Sequence, residues 1–101
     1  MIYYEAKDFP PDGLEATGED VTVTVPKGTP LRTYKLYGDK DGSIIVDGAG
    51  YGHASREGIG NGDAYRGGTG NGHASRSGKG NGDAYRGGTG NGHAYINGVK
   101  I

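Results

Sequence analysis

Two patterns of apolar and polar positions divide the chain. In the first half, short apolar runs alternate with polar residues and are separated by turn chemistry. Val21-Thr22-Val23-Thr24-Val25 is β-branched throughout and puts its valines on one face. Leu31 to Tyr37 alternates more weakly, Ser43 to Asp47 carries Ile44-Ile45-Val46, and Ile2 to Ala6 makes an opening run. Pro10-Pro11-Asp12-Gly13, the stretch from Pro26 to Pro30 and the stretch from Gly38 to Gly42 read as the turns between them. The pattern predicts a small antiparallel β unit over residues 1–49, with 21–25 paired to 31–37. Its hydrophobic cluster would be Val21, Val23, Val25, Leu31, Leu36, Ile44, Ile45 and Val46. No helix signal of useful length appears.

From Gly50 onward the alternation continues but the aliphatic residues vanish. Cut every ten residues, the chain reads GYGHASREGI, GNGDAYRGGT, GNGHASRSGK, GNGDAYRGGT and GNGHAYINGV, then Lys100 and Ile101. Every even position from Gly50 to Lys100 is glycine or alanine, apart from the arginines, Ile96 and Lys100; the odd positions carry the larger groups. Because ten is even, a strand's two-residue period survives every copy, leaving one face nearly bare and the other decorated. Glycine at every second rather than every third position argues against a collagen-like helix. The expectation is an all-β chain: a small antiparallel β unit (1–49) followed by a thin glycine-rich β-solenoid of ten-residue repeats (50–101). His-Ala-Ser and Asp-Ala-Tyr copies alternate, so a coil of ten or of twenty residues fits equally, as do copies wound into a homotrimer. The last copy has Ile96 where arginine stands elsewhere, which reads as a terminal cap. The first-half cluster would cap the other end.

Composition adds exclusions. There is no cysteine, hence neither disulfide nor thiolate metal site, and no apolar run of membrane-spanning length. The start carries no signal-peptide pattern, so secretion by its own signal is not expected, while release by cell lysis or assembly into a particle stays open. Residues 1–49 hold five basic and nine acidic groups, and residues 50–101 six basic and three acidic. That imbalance is too mild to imply nucleic acid by itself.

Candidate chemistry lies in the repeated side chains. His53, His73 and His93 fall twenty residues apart and would stack about 4.8 Å from one another if a coil takes twenty. A linear ladder makes a poor tetrahedral zinc site, and charged imidazoles so stacked would repel, predicting acid sensitivity. Tyr65 and Tyr85 would be rung neighbours, and Arg56, Arg66, Arg76 and Arg86 recur every tenth residue. Arginine either marks a solvent-facing corner or joins tyrosine in stacking on sugars, bases or protein. The candidate binding residues are therefore Tyr65, Arg66, Arg76, Tyr85, Arg86, His73 and His93. No nucleophile–base–carboxylate arrangement or phosphate loop is present, so neither catalysis nor a cofactor is expected.

Decapeptides of the type GNGDAYRGGT resemble the glycine-rich repeat proteins of bacteriophages and prophages, including the glycine-rich tips of tail-fibre adhesins; the likeness covers residues 50–101. More loosely, GIGNGDAYR and GGTGNGHAY resemble the nonapeptides of calcium-binding β-rolls. The first resemblance implies a non-enzymatic virion adhesin or structural tip with a protein or glycan partner, and a location in a virion or the host cytoplasm. The alternative is a small intracellular inhibitor of a host protein or nucleoprotein. A calcium-stabilised roll, with Asp63 and Asp83 among its ligands, is the third reading.

Overall fold

The computed structural model describes all 101 residues. The strands are β1 (Ile2–Glu5), β2 (Leu14–Glu15), β3 (Val21–Thr24), β4 (Thr33–Tyr37), β5 (Ile44–Asp47), β6 (His53–Glu57), β7 (Ala64–Arg66), β8 (Ala74–Arg76), β9 (Ala84–Arg86), β10 (Ala94–Ile96) and β11 (Val99–Lys100), with one 3₁₀ turn at Ala6–Asp8. They form two sheets, ordered β1-β3-β5-β7-β9 and β11-β10-β8-β6-β4-β2. All neighbours are parallel except the terminal β10–β11 pair. The chain passes from one sheet to the other and back in each coil, so it is an all-β solenoid with two flat walls.

The repeat region builds this solenoid as its alternation implies, and one coil takes twenty residues: Ala54 pairs with Ala74, Ala74 with Ala94, and Ala64 with Ala84. The expected antiparallel unit does not form. β3 and β4 lie in different sheets, and β1, β2, β3, β4 and β5 are themselves parallel rungs. The pairings Ile44↔Ala64 and Thr33↔His53 carry both sheets across residue 50 without a break. Only the spacing loosens toward the start, where Val21 pairs with Ile44 and Leu14 with Leu36.

Inside, Val21, Val23, Val25, Leu36, Ile44 and Val46 pack with Tyr34, Phe9, Ala6 and Ala16, and the core runs on as a row of alanines from Ala54 to Ala84. Phe9 meets Tyr4 and Tyr34 edge-on and closes the first coil. Leu31 and Ile45, both expected in the core, are not there. Leu31 stands out of phase with Tyr34 and Leu36 and is 55% exposed, while Ile45 faces outward between the inward Ile44 and Val46. At the other end, Asn97 (φ 48°) and Gly98 (φ 81°) supply the two positive dihedrals of a tight hairpin, which folds β11 over β10.

Glycine at the corners is what lets the coils stack. A Cβ on Gly70 would lie 1.9 Å from the carbonyl oxygen of Gly50 in the coil before. Gly68 combines the same crowding, against Gly48, with a φ of 80°. Backbone bonds therefore continue around corners as well as along the sheets, for example Gly62 N–H to Asn81 O at 2.9 Å and Gly72 N–H to Asn91 O at 2.9 Å.

Candidate binding surface

The arginines set the surface by leaving it. Arg56, Arg66 and Arg76 are fully buried, and Arg86 is half-buried. They occupy interior columns, Leu36–Arg56–Arg76–Ile96 in one sheet and Val23–Val46–Arg66–Arg86 in the other. Each guanidinium crosses the coil to corner carbonyls. Arg66 donates from Nε to Gly52 O at 2.7 Å and from Nη2 to Gly50 O at 2.6 Å, and its Nη1 donates to Gly67 O. Arg56 binds Gly42 O and Lys40 O, Arg76 binds Gly62 O and Gly60 O, and Arg86 binds Gly72 O and Gly70 O in the same way. Glycine corners turn carbonyls inward, and a planar group with five donors satisfies several at once. Burial pushes all four guanidiniums below their ordinary value. For Arg56 and Arg66 the neighbouring arginine of the same column adds to this, while Asp41 and Asp47 oppose it from outside. The expectation that arginine turns to solvent is thus corrected: Arg66 and Arg76 are buried within the scaffold, and half-buried Arg86 binds corner carbonyls in the same way.

The odd positions form outward columns stitched by side chains. The His73 amide donates to His53 Nδ1 at 2.9 Å, and the His93 amide to His73 Nδ1 at 2.8 Å. Asp63 N–H donates to Ser43 Oγ, and Asp83 N–H to Asp63 Oδ1 at 2.8 Å. Asn81 and Asn91 donate to the side-chain oxygens of Asn61 and Asn71. At these positions the rung-to-rung bond needs a side-chain acceptor two bonds beyond Cβ or one bond beyond it. Histidine, aspartate, asparagine and serine all provide one. That shared acceptor was the signal in the sequence, which reading each residue for its own chemistry passed over.

The imidazoles stack as their spacing implies, with ring centroids 5.1 Å apart for His53 and His73 and 5.7 Å for His73 and His93. An Nδ1 that accepts an amide proton leaves the ring proton on Nε2, which sets the tautomer of His53 and His73. Burial, then His73 and Arg66, holds His53 below the usual imidazole range. No three histidine or carboxylate side chains converge as metal ligands would. Ser55 Oγ donates to Glu57 Oε2 at 3.2 Å.

His73 and His93 lie on the wall of β4, β6, β8 and β10, whereas Tyr65 and Tyr85 lie on the opposite wall. There the pairings place Tyr3, Thr22, Ile45, Tyr65 and Tyr85 in one outward column. Tyr3 is 73% exposed, Tyr65 40% and Tyr85 48%. The Tyr65 side chain lies across Gly67 and Gly87: a Cβ on Gly67 would stand 2.8 Å from its ring and one on Gly87 2.9 Å from its hydroxyl. Those two glycines give the ring its bed. Tyr85 Oη donates to Asp83 Oδ2 at 3.2 Å, and that bond raises the phenol's pKa. Beside the column, Asp20, Ser43, Ile45, Asp63, Tyr65 and Tyr85 line a groove of about 460 Å³.

Comparison with family models, with curated proteins and with solved structures finds no match to this chain. No helix is long and apolar enough to cross a membrane.

Proposed function

We propose that the chain is a non-enzymatic binding protein that recognises a macromolecular partner through the tyrosine-bearing wall. The observation behind this reading is the outward column of Tyr3, Ile45, Tyr65 and Tyr85. Large rings stand in solvent while alanine and arginine fill the interior. Exposed aromatic side chains on a stiff frame bind with little loss of side-chain freedom. In keeping with the likeness of the decapeptides to phage repeat proteins, the proposed setting is a virion, as an adhesin or structural tip that contacts a protein or glycan. The second setting, an intracellular inhibitor of a host protein or nucleoprotein, is favoured by the carboxylates around the column, which suit a basic protein surface.

The test is capture on immobilised wild-type protein and on the Tyr65→Ala/Tyr85→Ala variant, from bacterial lysate and separately from isolated cell envelopes. A partner held by the wild type and lost by the variant supports the reading. Envelope capture favours the adhesin, and lysate capture the inhibitor. Equal capture by both proteins sinks it.

A further inference from the structure

We propose that the occupant of the tyrosine-bearing wall is an extended cationic polypeptide segment whose lysine and arginine side chains enter the groove over Ile45. The inference rests on the binding reading above and adds the chemistry of the partner.

Charge is the first argument. The column is flanked by Asp20, Asp63 and Asp83 on one side and by Glu5 and Asp47 on the other. No outward residue of β1, β3, β5, β7 or β9 is basic, because the arginines of β7 and β9 point inward. The two ion pairs of the molecule, at Glu19 and Glu57, involve none of these five carboxylates. Arg66 and Arg76 behind the wall offset part of the charge of Asp47 and Asp63, but every charged side chain that these strands present outward is negative, which disfavours nucleic acid and acidic glycans and draws in cations.

The groove supplies the second argument, since its lining is graded as a long cationic side chain is. Half-buried Ile45 forms an apolar floor for methylene stems. Tyr65 and Tyr85, with centroids 6.2 Å apart and planes tilted by 45°, offer ring faces to an ammonium or guanidinium. Asp20 and Asp63 also line the groove and supply counter-charge for the head group. Asp63 gives Oδ1 to the Asp83 amide and keeps its other oxygen for a ligand. Hydrogen bonding to Asp83 also fixes the orientation of the Tyr85 hydroxyl.

The experiment is selection of a random-sequence peptide library on the wild-type protein, with counter-selection on Tyr65→Ala/Tyr85→Ala. Selected peptides are then titrated by fluorescence anisotropy. The expected result is enrichment of peptides with two or more lysines or arginines, with binding that weakens as salt rises. The Asp63→Asn/Asp83→Asn variant should bind them at least about tenfold more weakly, since each replaced charge faces the ligand. Asparagine keeps the Oδ1 acceptor, as Asn61 and Asn71 do in neighbouring columns, so the fold survives that change. Tyrosine-dependent peptides without excess positive charge would overturn the cationic occupant and leave the binding wall standing. Basic peptides that bind the tyrosine variant equally well, or no tyrosine-dependent peptide at all, would also overturn it. The envelope and lysate captures then judge the binding wall separately.

Discussion

In the column that begins at Leu14 and Leu36, the interior side chain changes from leucine to arginine at Arg56 and Arg76 and returns to an aliphatic one at Ile96. In the column of Val23 and Val46 it changes to Arg66 and Arg86. The coils of residues 1–47 and those of residues 50–101 therefore share a backbone path but are filled by different chemistry. In the earlier coils, valine, isoleucine and leucine bury apolar surface, at about 1.5–3 kcal/mol for each side chain fully buried. In the later ones, glycine corners supply almost no apolar surface and turn carbonyls into the interior, so the filler must be a donor. Arginine is long enough to cross the coil and has enough N–H groups to bind two or three carbonyls there. The lesson is that a core can be specified by the needs of the backbone as well as by hydrophobicity.

The largest test of this contrast is Arg66→Leu. It frees a buried charge from its desolvation cost but leaves the Gly50, Gly52 and Gly67 carbonyls without donors, each costing about 1–3 kcal/mol. A net loss of about 3 kcal/mol or more is expected in urea denaturation, with Arg66→Lys in between. Equal stability of Arg66→Leu and wild type would mean that these coils are held by apolar contact after all.

Next comes Ala74→Leu. Ala74 is fully buried between Ala54 and Ala94, and the added carbons should cost about 1–3 kcal/mol, read as a lower melting temperature. In the aliphatic coils a smaller effect of opposite sign is expected from Tyr34→Phe. The Tyr34 hydroxyl is buried without a hydrogen-bond partner, so its removal should leave stability unchanged or raise it by up to about 1 kcal/mol.

The histidine column gives a pH test. The folded state holds His53 below its unfolded value of about 6.5, so the unfolded chain takes up the proton first. This contribution is present above that value and is lost as pH falls through the lower folded one. His53→Asn keeps an acceptor for the His73 amide and should flatten the pH dependence in thermal scans below neutrality. The smallest effect belongs to Tyr65→Ala/Tyr85→Ala, where exposed rings leave a change within about 0.5–1 kcal/mol. A larger loss would show that the rings serve the scaffold.

Parity along the chain carried most of what was legible. Ala64 and Ala74 read as inward and His53, His73 and Tyr65 as outward from alternation alone, and the structure agrees. Parity would also have corrected Leu31 and Ile45, which hydrophobicity had put in the core. Counting back from Tyr34 and Leu36 sets Leu31 outside, and Ile45 cannot share a face with both of its neighbours. Of the seven candidate binding residues, the two tyrosines share one wall, the two histidines share the other, and the three arginines are interior.

By itself, then, the sequence determined a repeating β chain, bare on one side, with its decorated positions in columns. Those features follow from local period and side-chain size, which act within a few residues. Only the tertiary structure decided that a coil takes twenty residues, that the first half joins the same two parallel sheets, and which carbonyls the arginines, of the same parity as the buried alanines, bind inside. Each of these depends on contacts between residues a coil apart. The inward arginines in particular answer carbonyls that face the interior only once glycine corners have stacked, and alternation cannot reveal where those carbonyls point.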